Sequence, residues 1–133
     1  MTFRGSLSPS GAHMPMFPFI VLPLAAMALG LVLGVLHLRG IRKPMLIGLH
    51  LLLGFGALEL LVVMLKGTPN GDGLPAGDFG NVSAGFLALA GFIGLLTPIL
   101  GRRSHLTANA MLLAHAGAGL AGVLLCMAWI SSL

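Results

Sequence analysis

Four long apolar segments, separated by short polar breaks, limit what this chain of 133 residues can fold into. They cover about residues 16–38, 45–65, 82–100 and 106–130. Each holds roughly twenty residues, the length that an α-helix needs to cross about 30 Å of hydrocarbon. The apolar residues are continuous rather than alternating with polar ones, so the segments are predicted to be helices and not the strands of a membrane barrel.

The composition indicates the solvent in which these segments fold. Hydrophobic residues make up 57% of the chain and charged residues 8%, whereas a soluble protein carries about 25% charged residues. So few charges cannot cover a folded surface in water, and the expected environment is the lipid bilayer. The seven Lys and Arg residues flank the apolar segments, which is typical of membrane topology signals and not of a nucleic-acid-binding surface.

The polar breaks divide the four segments into two hairpins. RGIRKP joins the first pair and GRRSH the last pair, and Ser104 or Thr107 is placed to cap the fourth helix. Residues 66–81 are rich in Gly, Pro and Asp, so they are predicted to form an exposed loop between the hairpins. The first segment is too long for a secretory signal and is interpreted as a retained helix. The sequence therefore predicts a single all-α integral membrane domain, a four-transmembrane-helix bundle, over the whole chain.

The basic residues predict the orientation of the bundle. Positive residues of membrane proteins are concentrated in cytoplasmic loops, so the two short loops are expected in the cytoplasm and both termini outside, in a bacterial inner membrane. Trp129, near the outer end of the fourth helix, is expected at the membrane interface. The basic residues of the short loops are Arg39, Arg42, Lys43, Arg102 and Arg103.

Two histidines interrupt apolar runs at matching positions. His50 lies in IGLHLLLGFG and His115 in MLLAHAGAGLAG, each roughly 9–13 Å inside the membrane boundary at 1.5 Å per residue. Each is followed four residues later by a glycine, Gly54 and Gly119, on the same helix face. The missing side chain leaves a flat slot beside the imidazole, wide enough for a planar ring system. With the basic loop before each helix, the shared His-x3-Gly forms a faint internal repeat.

An imidazole in hydrocarbon is costly unless its nitrogens have partners. Haem iron is one such partner, while the other ring N–H binds a backbone carbonyl or a hydroxyl. Two histidines on facing helices would give a six-coordinate haem suited to electron transfer. The haem propionates would then lie near the basic loops, within reach of Arg42, Lys43, Arg102 and Arg103.

The pair formed by His50 and His115 in four apolar helices resembles the small membrane b-type cytochromes, such as b561-like proteins and the membrane anchors of respiratory dehydrogenases. The resemblance implies a haem b subunit that passes electrons between a quinone pool and a partner protein. Those families often carry several histidine pairs at two depths. Here the outer halves of the helices hold no histidine, so one haem is expected, and the chain is more readily a non-catalytic subunit than an enzyme.

Other interpretations of the histidines and glycines stay open. Each histidine could instead hydrogen-bond a neighbouring helix, or bind a chlorophyll-type pigment, whose magnesium takes one histidine. Gly30 with Gly34, and Gly91 with Gly94, are interpreted as packing glycines, since small residues dominate contacts between membrane helices. The alternative function is then a cofactor-free accessory subunit that stabilises a larger membrane complex, with other subunits or copies of itself as partners.

Two further features carry hypotheses of their own. Glu59 lies within the second apolar segment, where a carboxyl group is expensive. It is interpreted as a proton relay or part of a quinone pocket, as the centre of a transporter, or as a hydrogen-bonding group toward another helix. In the N-terminal tail, His13, Met14 and Met16 are soft ligands that suit Cu(I).

Overall fold

The computed structural model describes residues 16–66, 78–102 and 104–131. Within these ranges the chain forms four α-helices and no strand, which confirms the predicted all-α fold. All four helices are long and apolar enough to cross a membrane. The helices are α1 (Met16–Leu38), α2 (Pro44–Lys66), α3 (Asp78–Leu100) and α4 (His105–Ser131).

The helix ends follow the local sequence. Gly40 ends α1 in the left-handed conformation, with φ of 71°. Gly40 N–H donates to the carbonyl of His37 and Ile41 N–H to that of Leu36, which together satisfy the last carbonyls of the helix. Pro44 begins α2, where its missing N–H costs nothing. These two residues stop one helix and start the next within a few residues, so the first hairpin turns sharply.

The second hairpin begins at an earlier residue than predicted, and a predicted residue caps its second helix. Ser104 caps α4, because its Oγ accepts a hydrogen bond from the backbone N–H of Thr107 at 3.1 Å. The helix α3 starts at Asp78, four residues before the predicted residue 82. The segment between the two hairpins is therefore shorter than predicted. The cause is packing: Gly80, in the first turn of α3, lies against Leu65 and Trp129. Contacts with α2 and α4 extend the helix beyond its apolar run.

The helices form a closed ring of neighbours. Among the described residues, α1 contacts α2 and α4, and α3 also contacts α2 and α4. The backbones of α2 and α4 are not in contact with each other. The helices α2 and α4 therefore face each other diagonally across the bundle. The tightest pair is α3 with α4, where the buried hydroxyl of Ser83 donates to the carbonyl of Gly122 at 2.8 Å.

The core of the bundle lies away from the short loops. Phe19 and Trp129 meet edge to face, with ring centroids 6.0 Å apart. Trp129 is only 1% exposed, so the indole packs inside the bundle near the end of α4 and does not face lipid; its depth at the membrane interface stays a prediction. Most large apolar side chains outside this cluster are exposed, as expected for helices whose outer faces meet lipid. The cluster consists of Phe19, Leu61, Met64, Cys126 and Trp129.

Candidate functional site

His50 and His115 meet in the middle of the bundle. They come from the diagonal helices α2 and α4, and their ring centroids are 5.8 Å apart with the ring planes at 80°. Both side chains are half-buried. The two imidazoles thus bridge the space between two helices whose backbones do not touch.

Each imidazole is held by the first helix of its own hairpin. His50 Nδ1–H donates to the carbonyl of Ala26 at 3.0 Å, and His115 Nδ1–H donates to the carbonyl of Ala90 at 2.8 Å. A carbonyl oxygen only accepts, so in the neutral rings Nδ1 carries the proton and Nε2 keeps its lone pair. Within the described ranges no residue hydrogen-bonds Nε2 of either ring. Both rings therefore present an available metal-binding nitrogen.

Two glycines on the neighbouring helices make room for the rings. A Cβ atom at Gly30 would lie 3.0 Å from Cε1 of His50, and one at Gly94 would lie 3.0 Å from both Cε1 and Nδ1 of His115. Such distances are shorter than ordinary van der Waals contact between carbon atoms. Gly30 and Gly94, interpreted from sequence as packing glycines, thus have a more specific place: each lets an imidazole lie directly against a helix backbone.

The glycines of the His-x3-Gly pattern lie elsewhere. A Cβ atom at Gly54 would meet nothing within 4 Å, and one at Gly119 would meet only the Cβ of Ala90, at 3.9 Å. Neither glycine therefore seats an imidazole in this structure. The role of both glycines toward a planar group stays a prediction.

The two hairpins repeat the same arrangement. Ala26 and Gly30 recur 64 residues later as Ala90 and Gly94, and His50 recurs 65 residues later as His115. The first helix supplies the carbonyl and the slot, and the second supplies the imidazole. Sequence reasoning found the histidines and missed the alanines and first-helix glycines, although an Ala-x3-Gly at this offset was the available signal. Three buried positions of α2 are also buried 65 residues later in α4. The pairs are Ala57 and Gly122, Leu61 and Cys126, and Met64 and Trp129.

The separation of the ring centroids can be compared with that of two imidazoles on one metal ion. An imidazole nitrogen binds a metal at about 2.0–2.1 Å, and each ring centre lies roughly 1 Å beyond its nitrogen, so two axial imidazoles have centres about 6 Å apart. The observed distance is 5.8 Å. No group of three or more His, Cys, Asp or Glu residues is assembled in the part of the chain that the structure describes. The two imidazoles thus lack the three or four protein ligands of a zinc site.

Glu59 lies apart from the histidine pair, on the outer surface of the first hairpin. Its side chain is exposed and lines a groove between α1 and α2. The corresponding position of the second hairpin is Leu124, which is 60% exposed. An outward-facing position that holds leucine in one hairpin therefore holds a carboxyl group in the other. The apolar groove is lined by Pro18, Leu22, Gly56, Leu60 and Val63.

The basic residues of the short loops divide into two groups. Arg42 and Arg102, one from each loop, line a common cleft with His37 and His105. Lys43 is exposed outside that cleft. Their predicted contacts with haem propionates stay a prediction. Arg103, His13, Met14 and the side chain of Met16 lie outside the residues that the structure describes.

No family model, curated protein or solved structure matches this chain. The resemblance to membrane b-type cytochromes stays a prediction, and the histidine pair is the feature that carries it.

Proposed function

We propose that this protein is a membrane b-type haem subunit, in which His50 and His115 would hold the haem and it would supply a one-electron redox centre. The observation that carries the proposal is the ring separation of 5.8 Å across the bundle. Both Nδ1–H groups are bound to carbonyls, which leaves Nε2 of each ring for the metal. This division of the two ring nitrogens is the usual one for a metal-binding histidine.

Haem fits this site better than a bare metal ion. A structural zinc site needs four protein ligands and a catalytic one needs three, whereas the described residues bring together two. Haem needs only its axial ligands from the protein. When bound by two histidines it supplies a one-electron redox centre with no coordination position left open for substrate. That chemistry favours electron transfer over catalysis at the iron.

The surrounding residues orient the ligands. The carbonyls of Ala26 and Ala90 fix each ring in one tautomer and one plane, and such bonds raise the basicity of the nitrogen that binds the metal. Gly30 and Gly94 hold the rings against the backbones of α1 and α3. The ligands are thereby positioned by the helices of the two hairpins and not by loops, which limits their movement.

The groove around Glu59 is the proposed point of exchange with a quinone pool. A quinol is apolar enough to enter a groove lined by Leu22, Leu60 and Val63. The carboxylate of Glu59 would accept a hydrogen bond, and then a proton, from a quinol hydroxyl. Glu59 follows His50 by nine residues, about 13 Å along the helix at 1.5 Å per residue. The proton acceptor and the redox centre are therefore on the same helix but on different faces.

A cofactor-free accessory subunit is the second candidate. The observation that favours it is that both histidines already have a hydrogen-bond partner. Among the residues of the described ranges, no buried side-chain nitrogen or oxygen lacks a partner. The histidines would then hold α1 to α2 and α3 to α4, and the exposed apolar faces would meet other subunits.

A visible spectrum of the purified protein separates the two candidates. Protein produced with ample haem should show a low-spin b-type spectrum that changes on reduction, and His50→Ala and His115→Ala should each abolish it. His37→Ala and His105→Ala are matched controls, because these histidines lie in the cleft at the helix ends and not between α2 and α4. A flat spectrum from folded wild-type protein would exclude the haem proposal and favour the accessory subunit.

A further inference from the structure

A basic cleft lies between the two short loops, at the end of the bundle opposite the aromatic core. Its walls come from both hairpins. His37 lies in the last turn of α1 and Arg42 precedes α2, while Arg102 follows α3 and His105 begins α4. A hydrogen bond between His37 Nε2 and Asn109 Oδ1, 3.4 Å long, links the two sides. The floor is formed by Gly101 and Ala108, which are half-buried and in close contact.

No described acidic side chain balances the positive charge of this cleft. Glu59 is the only acidic residue whose side chain the structure describes, and it does not line the cleft. Glu59 is nearer the opposite end of α2. Two guanidinium groups from different loops therefore share one concave surface to which no described residue brings a carboxylate. An anion would stabilise this arrangement.

The donors of the cleft suit a phosphate group. Arginine offers a planar fork of N–H groups that matches phosphate oxygens, and the cleft adds the imidazole of His105. His37 and Ser104 also line the cleft, where they bond Asn109 and Thr107. It also lies at the N-terminus of α4, where the helix dipole favours negative charge. The side chains of Arg42, Arg102, His37 and His105 are all exposed. They are therefore accessible from the headgroup layer at the membrane surface, which favours a lipid phosphate over haem propionates reaching out from the bundle centre.

We propose that this cleft, walled by Arg42 and Arg102 with His37 and His105, binds the phosphate of an anionic phospholipid headgroup. Basic pockets between membrane helices are a known physical means of holding such lipids. A bound lipid would tie the two hairpins together at the end of the bundle where the described residues form no aromatic cluster. The proposal does not require haem, because none of its residues belongs to the histidine pair.

The test is lipid binding by the full chain in vesicles of phosphatidylcholine with and without phosphatidylglycerol. After extraction, native mass spectrometry counts the retained phosphatidylglycerol. We expect wild-type protein to retain it in preference to phosphatidylcholine, and Arg42→Gln with Arg102→Gln to weaken this binding about 30-fold. Lys43→Gln is the matched control, since Lys43 lies in the same loop as Arg42 but outside the cleft. Equal losses in the control and the double variant would overturn the proposal.

A second variant protects the test against altered membrane insertion. Replacing both arginines by lysine keeps the charge that orients the chain but removes the planar fork, so insertion should be normal and lipid binding weaker. Normal lipid binding by this variant would contradict phosphate recognition by the guanidinium groups. If inorganic phosphate alone is retained and phosphatidylglycerol is not, the ligand is a free anion and the lipid assignment is wrong.

Haem is the remaining competitor for the cleft, and the histidine variants resolve it. The variant His50→Ala with His115→Ala should bind phosphatidylglycerol as the wild type does. Binding that appears only in this variant would mean that haem propionates occupy the cleft, which would overturn the lipid assignment. Wild-type protein that retains phosphatidylglycerol but shows no haem spectrum would support the lipid proposal. The same result would contradict the haem proposal.

Discussion

His50 and His115 lie on helices whose backbones make no contact, yet their imidazole rings are 5.8 Å apart. The two rings are positioned by the other two helices, α1 and α3. Ala26 and Gly30 on α1 hold one ring and Ala90 and Gly94 on α3 hold the other. Each hairpin thus positions its own imidazole, and association of the hairpins brings the two rings together.

Gly30 and Gly94, here called the slot glycines, each leave room for an imidazole ring, so their substitution should displace the rings. Gly30→Ala or Gly94→Ala places a Cβ atom 3.0 Å from an imidazole, and we expect each to lower haem content and to destabilise the fold by about 1–3 kcal/mol. The controls are Gly34→Ala and Gly85→Ala on the same two helices, where the new Cβ meets nothing within 4 Å. Alanine there should be neutral or stabilising by up to about 1 kcal/mol. Haem content and thermal unfolding in detergent check both; an equal effect at Gly34 would argue against a slot.

The sequence was sufficient to predict the four-helix fold and to single out His50 and His115. Long apolar runs determine helices in a bilayer, so their number followed directly from the chain. The sequence before the fourth apolar run offered Ser104 and Thr107 as caps, and the structure shows that Ser104 is the cap. Trp129 could not be placed in the same way, because whether an indole near a helix end faces lipid or the interior depends on neighbours such as Phe19.

The slot glycines illustrate the same limit within the site. Gly30 and Gly94 are two of many glycines in apolar helices, and each gains its role only from a histidine on another helix. The pattern around a residue describes its own helix face, whereas the contact depends on how two helices pack. The offset shared by Ala26, Gly30 and their counterparts on α3 becomes informative once the pairing of helices is known.

Removal of the buried hydroxyl of Ser83 should loosen the second hairpin. Ser83→Ala removes the 2.8 Å hydrogen bond to the carbonyl of Gly122, and we expect a loss of about 1 kcal/mol of stability, as for other hydrogen bonds between membrane helices. Ser131→Ala is the matched control, because Ser131 bonds a carbonyl of its own helix at an exposed position. Thermal unfolding in detergent compares the two. Equal stability of both variants would show that Ser83 does not hold α3 to α4.

Glu59 should matter for quinol reactivity and not for the haem spectrum. Glu59→Gln removes the proton acceptor from the groove, so haem reduction by an added quinol should slow about 100-fold, the lower end of the usual contribution of general base catalysis. Glu59→Leu copies the residue at the equivalent position, Leu124, and should be stable in the bilayer and equally slow. Stopped-flow absorbance measures the rate, with reduction by dithionite as the control. Unchanged quinol rates in both variants would remove Glu59 from the proposed function.

The orientation of the bundle can be read from the accessibility of introduced cysteines. Cys126 is the chain's only cysteine and is 1% exposed, so the unmodified protein should give little background with a membrane-impermeant maleimide. Ile41→Cys lies in a short loop, and Ser131→Cys at the end of α4; both positions are exposed and uncharged. The concentration of Lys and Arg in the short loops predicts that intact spheroplasts label the second variant and not the first. Labelling of both after the membrane is opened is the control for reactivity. The opposite pattern in intact spheroplasts would reverse the predicted orientation and place the basic cleft on the outer surface.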